Sequence, residues 1–310
     1  MGGRHAGLIA WMDNWLLPSP VLPSPVLPSP VEYLDDDRLR TAGVEVWLKR
    51  DDLIHPEVPG NKWRKLKYNL AAAASQSQRT LLTFGGAYSN HIRATAAAGH
   101  YFGFSTIGVI RGEEHLPLNP VLSFAVSRGM SLCYLNRADY RRKTEPDVVS
   151  GLRERFGTFY LLPEGGSNEL AVRGCAEVID EFDAGFDVIC CPCGTGATLA
   201  GVAHGIDAAG GRAVGFSVLK GGAFLAHEVA ELQRKAFGRS GSNWRVETRF
   251  HFGGYARRTA ELDDFIADFS RRHGIGLDWV YTAKMMYGVF VLAEEGCFRP
   301  GTRIVVLVTG

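Results

Sequence analysis

Residues 190–202 read CCPCGTGATLAGV, and the order of residue types in them decides the architecture. An apolar run that reads as the end of a strand passes through Gly194-Thr195-Gly196 to Thr198 and into a small-residue pattern that reads as a helix. A glycine turn between a strand and a helix start is the build of an anion cradle, because glycines let the backbone approach and free N–H groups point outward. A plain tight turn explains the same residues, and the stretch lacks both a Walker lysine and the full dinucleotide spacing.

Working outward, the same alternation recurs after Glu32. Strands are predicted at 44–49, 80–84, 105–110, 131–135, 158–162, 187–191, 213–218, 246–252 and 303–308. Helical windows lie at 91–102, 168–184, 197–209, 224–237, 259–273 and 284–296. Several strands are apolar throughout, as burial on both faces of a parallel sheet requires. The pattern predicts an α/β fold with right-handed crossovers and ligand sites at the carboxyl ends of strands. A second such loop is TFGGAYSNHIRATAAAG (83–99), running through Gly85-Gly86 to Ser89-Asn90 and a helix.

The stretch HPEVPGNKWRKLKYNL (55–70) opens a helix near Asn61. Arg64, Lys65 and Lys67 read as its wet face, while Lys62 falls at the helix start behind Gly60-Asn61. A helix N-terminus disfavours positive charge, so an amine there is expected to have a lowered pKa and to be nucleophilic.

With 310 residues, 46% hydrophobic and 22% charged, and a net charge of +1, the chain reads as two globular α/β domains. No basic face emerges, so nucleic-acid binding has no support. No opening segment is long and apolar enough to span a bilayer, so no membrane is expected. Cys190, Cys191 and Cys193 lack the second thiolate pair of a zinc site and read as a buried strand end in a reducing cytosol, with no metal. LPSPV occurs three times, at 17–21, 22–26 and 27–31, and its prolines predict a stiff leader over 1–31.

Taken together, GNKWRKL (60–66), GGAYSNHIRATA (85–96) and CGTGATLAG (193–201) resemble, in order and spacing, pyridoxal-phosphate enzymes of the tryptophan synthase β-like fold, fold type II. Within them the chain is similar to the 1-aminocyclopropane-1-carboxylate deaminase/D-cysteine desulfhydrase family. FGGYA (252–256) and VYTAKMMYGV (280–289) match its substrate-side segments, and the likeness covers residues 27–310.

The resemblance implies a pyridoxal 5'-phosphate cofactor in a cleft between a large domain (32–64 and 167–310) and a small one (65–166). It implies a cytoplasmic homodimer acting on a small amino acid. Lys62 would form the Schiff base and move the α-proton, and Asn90 would bond the ring oxygen. Gly194, Thr195, Gly196, Ala197 and Thr198 would hold the phosphate. Ser89 would cap its helix and bind the substrate carboxylate, with His91 facing the substrate or packing. Tyr255 and Tyr281 would line the substrate side, and Tyr287 would pack.

The ring-opening branch carries a glutamate and a leucine where this chain has Thr282 and Thr309, which favours β-elimination from D-cysteine over the deaminase reaction. A third reading is a non-catalytic binding protein of the same fold that docks partners through the leader. Pro59, the segment HFGGYARRTAEL (251–262) and Val308 in place of a closing histidine depart from the family pattern. The pocket near Tyr255 and the wall about the ring nitrogen are therefore expected to differ from the relatives'.

Overall fold

The computed structural model describes residues 25–183 and 185–309. Its strands are β1 (Val31–Tyr33), β2 (Glu45–Lys49), β3 (Thr80–Gly85), β4 (Ser105–Arg111), β5 (Met130–Leu135), β6 (Tyr160–Leu162), β7 (Val188–Cys193), β8 (Arg212–Ser217), β9 (Trp244–Glu247) and β10 (Arg303–Leu307). The helices used below are α1 (Asn61–Ser75), α2 (Asn90–Phe102), α3 (Glu169–Ala176), α4 (Ala197–Asp207), α5 (Leu225–Phe237), α6 (Ala260–His273) and α7 (Thr282–Glu294). No described helix is long and apolar enough to cross a membrane.

The described residues form two compact units, one of residues 25–69 and 166–309 and one of residues 70–165. The smaller unit starts at Leu70 rather than at the expected 65, because the first turns of α1 pack with the larger one. In the larger unit six strands lie in the order β1-β2-β10-β7-β8-β9. All neighbours are parallel except β1, which runs antiparallel to β2. Along β10, Ile304 and Val306 join the core against α6 and α7. Val305 and Leu307 join the core against α4 and α5. Successive side chains alternate faces, so a strand covered by helices on both sides must be apolar wherever it is buried, and β10 is apolar at every position after the exposed Arg303. The smaller unit holds the all-parallel order β5-β4-β3-β6, with separate cores around Phe84 and Ile92.

Two secondary-structure expectations are corrected, and one about the leader is corrected in part. The strand expected over 246–252 ends at Glu247, and the chain beyond it turns through positive φ at Phe252 (48°), Gly253 (89°), Gly254 (116°) and Ala256 (51°). Extended pairing is impossible at those positions. The helix expected over 168–184 stops at Ala176 and continues as a 3-10 turn over Glu177–Glu181, whose two end carboxylates reach cations of α1. The leader expected over 1–31 falls mostly on residues 1–24, outside the described residues, but its last copy belongs to the fold. Ser29 is 2% exposed, its hydroxyl donates to Asp51 (2.7 Å) and its carbonyl accepts from Lys49 Nζ (2.7 Å). Val31 then enters β1.

The supposed wet face of α1 is also buried: Arg64, Lys65 and Lys67 are 2%, 4% and 7% exposed. Periodicity misleads here because the acidic partners lie far along the chain. Arg64 donates to both oxygens of Asp51 (2.7 and 2.8 Å) and to Glu181 (2.7 and 3.0 Å). Lys49 pairs with Glu181, and Lys67 with Glu177. These hydrogen-bonded cations hold the Glu181 carboxyl down to about 2 against an ordinary 4.5, although burial opposes them.

Arg64→Met leaves Asp51 and Glu181 buried short of a partner and should cost about 3–5 kcal/mol in urea denaturation at neutral pH. Glu181 has a depressed folded pKa, so its stabilisation is complete above about 4.5 and is lost as pH falls toward about 2. The variant should lose less stability than the parent across that window.

Candidate active site

The residues after β2 set the position of Lys62. Gly60 sits at φ 60° with its N–H on the Asp51 carbonyl (2.8 Å). A methyl group there would lie 1.7 Å from the Thr309 carbonyl oxygen, so the contact between this turn and the end of β10 exists only with glycine. Asn61 follows, 7% exposed. Its amide donates to Thr198 Oγ1 (3.0 Å) and its Oδ1 accepts from Lys62 Nζ (2.8 Å). The start of α1 is thereby fixed to the start of α4.

Lys62 is half-buried. Burial, and then repulsion from Lys65, push its amine down to about 7, with Cys175 and Asp278 opposing. Position 62 is not unique in this respect. Burial also lowers the pKa of Lys65, against the expectation that it would resemble a surface lysine. What separates the two is access, since Lys65 is almost wholly covered.

The turn after β7 has the expected cradle form. Gly196 takes φ 86° and precedes α4 with no side-chain cap, so the first N–H groups of that helix have no intrahelical acceptor and no capping oxygen. At Gly194 a methyl group would stand 3.2 Å from the Tyr281 ring, and the Thr195 hydroxyl pairs with that of Ser167. Ala197 and Thr198 are buried. Cys190, Cys191 and Cys193 are buried in β7. Burial pushes the Cys190 and Cys193 thiols up to about 12 and raises that of Cys191 as well.

Tyr281 stands beside the turn, and its ring lies 6.0 Å from that of Tyr255 at 68°. Asp278, which sequence reasoning missed, accepts from the N–H groups of Val280 (3.1 Å) and Tyr281 (2.7 Å). Its pKa is raised by burial, against those bonds and the nearby Lys62 and Lys284. The available signal was an aspartate three residues ahead of a tyrosine at a helix start. Thr282 is 1% exposed and its buried hydroxyl has no hydrogen-bond partner among the described residues. Thr309 is 3% exposed, against Gly60. Lys62, the 194–198 turn, Tyr255, Tyr281, Thr282 and Thr309 thus converge at the carboxyl ends of β2, β7, β9 and β10, where ligand sites of open α/β sheets form.

Ser89 and Asn90 belong to the smaller unit. Ser89 caps α2 by accepting from the Ile92 N–H (3.3 Å), and Asn90 is the first residue of that helix. His91 is packed: it is 2% exposed with Nε2 on Thr83 Oγ1 (2.8 Å). Tyr287 packs among Phe250, Phe252 and Phe265. A groove of about 580 Å³ lies at the opposite, amino ends of β7 to β10, lined by Asp187, Arg212, Arg245, Cys297 and Arg299 among others.

A half-buried amine of lowered pKa, an uncapped helix start behind glycines and a buried hydroxyl without a partner among the described residues fit an aldehyde cofactor with a phosphate tail and a ring nitrogen. The chain belongs to the pyridoxal-phosphate dependent enzymes, whose family model matches residues 22–310, and within them to the 1-aminocyclopropane-1-carboxylate deaminase/D-cysteine desulfhydrase family. It is 31% identical over 86% of its length to the bifunctional D-cysteine desulfhydrase/1-aminocyclopropane-1-carboxylate deaminase of Arabidopsis thaliana, covering 72% of that protein. It is 27% identical to the 1-aminocyclopropane-1-carboxylate deaminase of Burkholderia vietnamiensis, over 84% of this chain and 85% of the relative. A crystal structure described as an ACC deaminase homologue superposes with a TM-score of 0.83 at 28% identity, covering 100% of this chain and 95% of that one. The cofactor is pyridoxal phosphate.

Cofactor uptake by apoprotein should accelerate as pH rises through about 7, where the Lys62 amine loses its proton. Absorbance during reconstitution across pH measures this. Lys62→Arg, whose guanidinium stays protonated, should gain no cofactor mass after borohydride treatment.

Proposed function

We propose that the protein is a β-eliminating lyase that converts D-cysteine and one water into pyruvate, ammonia and hydrogen sulfide. Thr282 carries this reading. A buried hydroxyl with no hydrogen-bond partner among the described residues follows Tyr281 at the position where the ring-opening branch has a glutamate. When bound, pyridoxal phosphate supplies an electron sink that acidifies the substrate's α-proton. A hydroxyl at the ring nitrogen draws electrons less strongly than an acidic partner would. That suffices to remove an α-proton and expel a thiolate, whereas the cyclopropane substrate has no α-proton and a carbon leaving group.

In this reading Lys62 holds the aldehyde and, once released, takes the α-proton, its lowered pKa keeping part of the amine neutral. The N–H groups of Gly194 to Thr198 hold the phosphate. Asn90 bonds the ring oxygen and Ser89 the substrate carboxylate. Tyr255 and Tyr281 offer phenols to the carboxylate or to the departing group. Thr309 stands with Thr282 on the ring-nitrogen side. The Arabidopsis relative, named for both activities, supports D-cysteine and 1-aminocyclopropane-1-carboxylate as the pair to compare.

Reconstituted protein should release sulfide and pyruvate in equal amounts from D-cysteine, faster than from L-cysteine or D-serine. Faster oxo-acid release from 1-aminocyclopropane-1-carboxylate would sink the proposal. Thr282→Glu should move the ratio of kcat/KM for the two substrates by about tenfold or more toward the cyclopropane.

A further inference from the structure

Lys284 lies in the first turn of α7, in the otherwise apolar run AKMMYGVFVLA (283–293), and is 0% exposed. A buried ammonium costs several kcal/mol unless its donors are satisfied. Its Nζ donates to the carbonyls of His251 (2.9 Å) and Gly254 (2.7 Å). Those carbonyls bracket the turn after β9, where Phe252, Gly253, Gly254 and Ala256 all have positive φ. Left-handed backbone costs a residue with a side chain roughly 1–2 kcal/mol, so two such residues within five need an outside constraint to persist. Asp278 supplies the nearby negative charge while holding the N–H of Tyr281. One cation thus ties the turn that carries Tyr255 to the helix start that carries Tyr281.

We propose that Lys284 is a positioning residue for the reaction proposed above: through the His251 and Gly254 carbonyls it sets the turn that presents Tyr255 to Tyr281. The inference rests on Tyr255 serving the substrate side, and its structural half can be measured without turnover.

The test uses reconstituted holoenzyme with Lys284→Met, an unbranched side chain one bond shorter than lysine that removes its donors. Amides 252–256 should exchange hydrogen about tenfold faster than in the parent, with the other peptides unchanged. Cofactor absorbance should stay the same. The kcat/KM for D-cysteine should fall by about 10- to 100-fold, yet the same change in a Tyr255→Phe background should cost no more than about twofold.

A full loss in both backgrounds would mean that Lys284 does not act through Tyr255, and unchanged exchange at 252–256 would overturn the constraint itself. If Tyr255→Phe alone costs nothing, it is the substrate-side assignment that fails, and the exchange result still decides whether Lys284 sets the turn. Should Lys284→Met fail to fold, Lys284→Gln, with a neutral donor about one bond short of the carbonyls, carries the same comparison.

Discussion

The arrangement depends on a missing side chain. Gly60 lies so close to the Thr309 carbonyl that no other residue fits, and its positive φ turns the chain directly into α1. That contact joins the end of β10 to the first residues of the helix. Asn61 then reaches Thr198, and Lys62 is left with its amine at the carboxyl edge of the sheet. A strand end, a helix start and a reactive amine are registered by one steric fit and one amide hydrogen bond.

Burial then sorts the cations around that amine. Arg64 and Lys67 are neutralised by carboxylates and serve the fold. Lys65 is covered, and its charge raises the cost of protonating Lys62. The low dielectric that makes ion pairs hold also makes a neighbouring amine give up its proton. The same surroundings therefore give stability at position 64 and reactivity at position 62.

Much of this was legible in the sequence. Strand-turn-helix order, uniformly apolar strands and the glycine turns at 60 and 194–196 have local causes, and local causes can be read. The parts that were missed depend on distant partners. Arg64 looks like a surface residue until Asp51 and Glu181 are placed beside it. The 246–252 segment looks like a strand because nothing in its own residues shows that Lys284 takes the carbonyls of His251 and, just beyond it, Gly254. Ser29 sits in a repeat that reads as a spacer, and only Lys49 and Asp51 reveal it as part of the core. Thr282 could be singled out by comparison, but that its hydroxyl is buried without a partner among the described residues is a fact of packing.

The cysteines carry a practical consequence. Five of the six are buried, and Cys297 is the exposed one. Thiols held up to about 12, such as Cys190 and Cys193, yield almost no thiolate near neutrality, and the thiolate is the reacting form. A maleimide dye or spin label would therefore attach at one place on the unaltered chain. Cys297 borders the groove at the amino ends of the strands, so the probe would sit across the sheet from Lys62, able to report on the molecule without touching its chemistry.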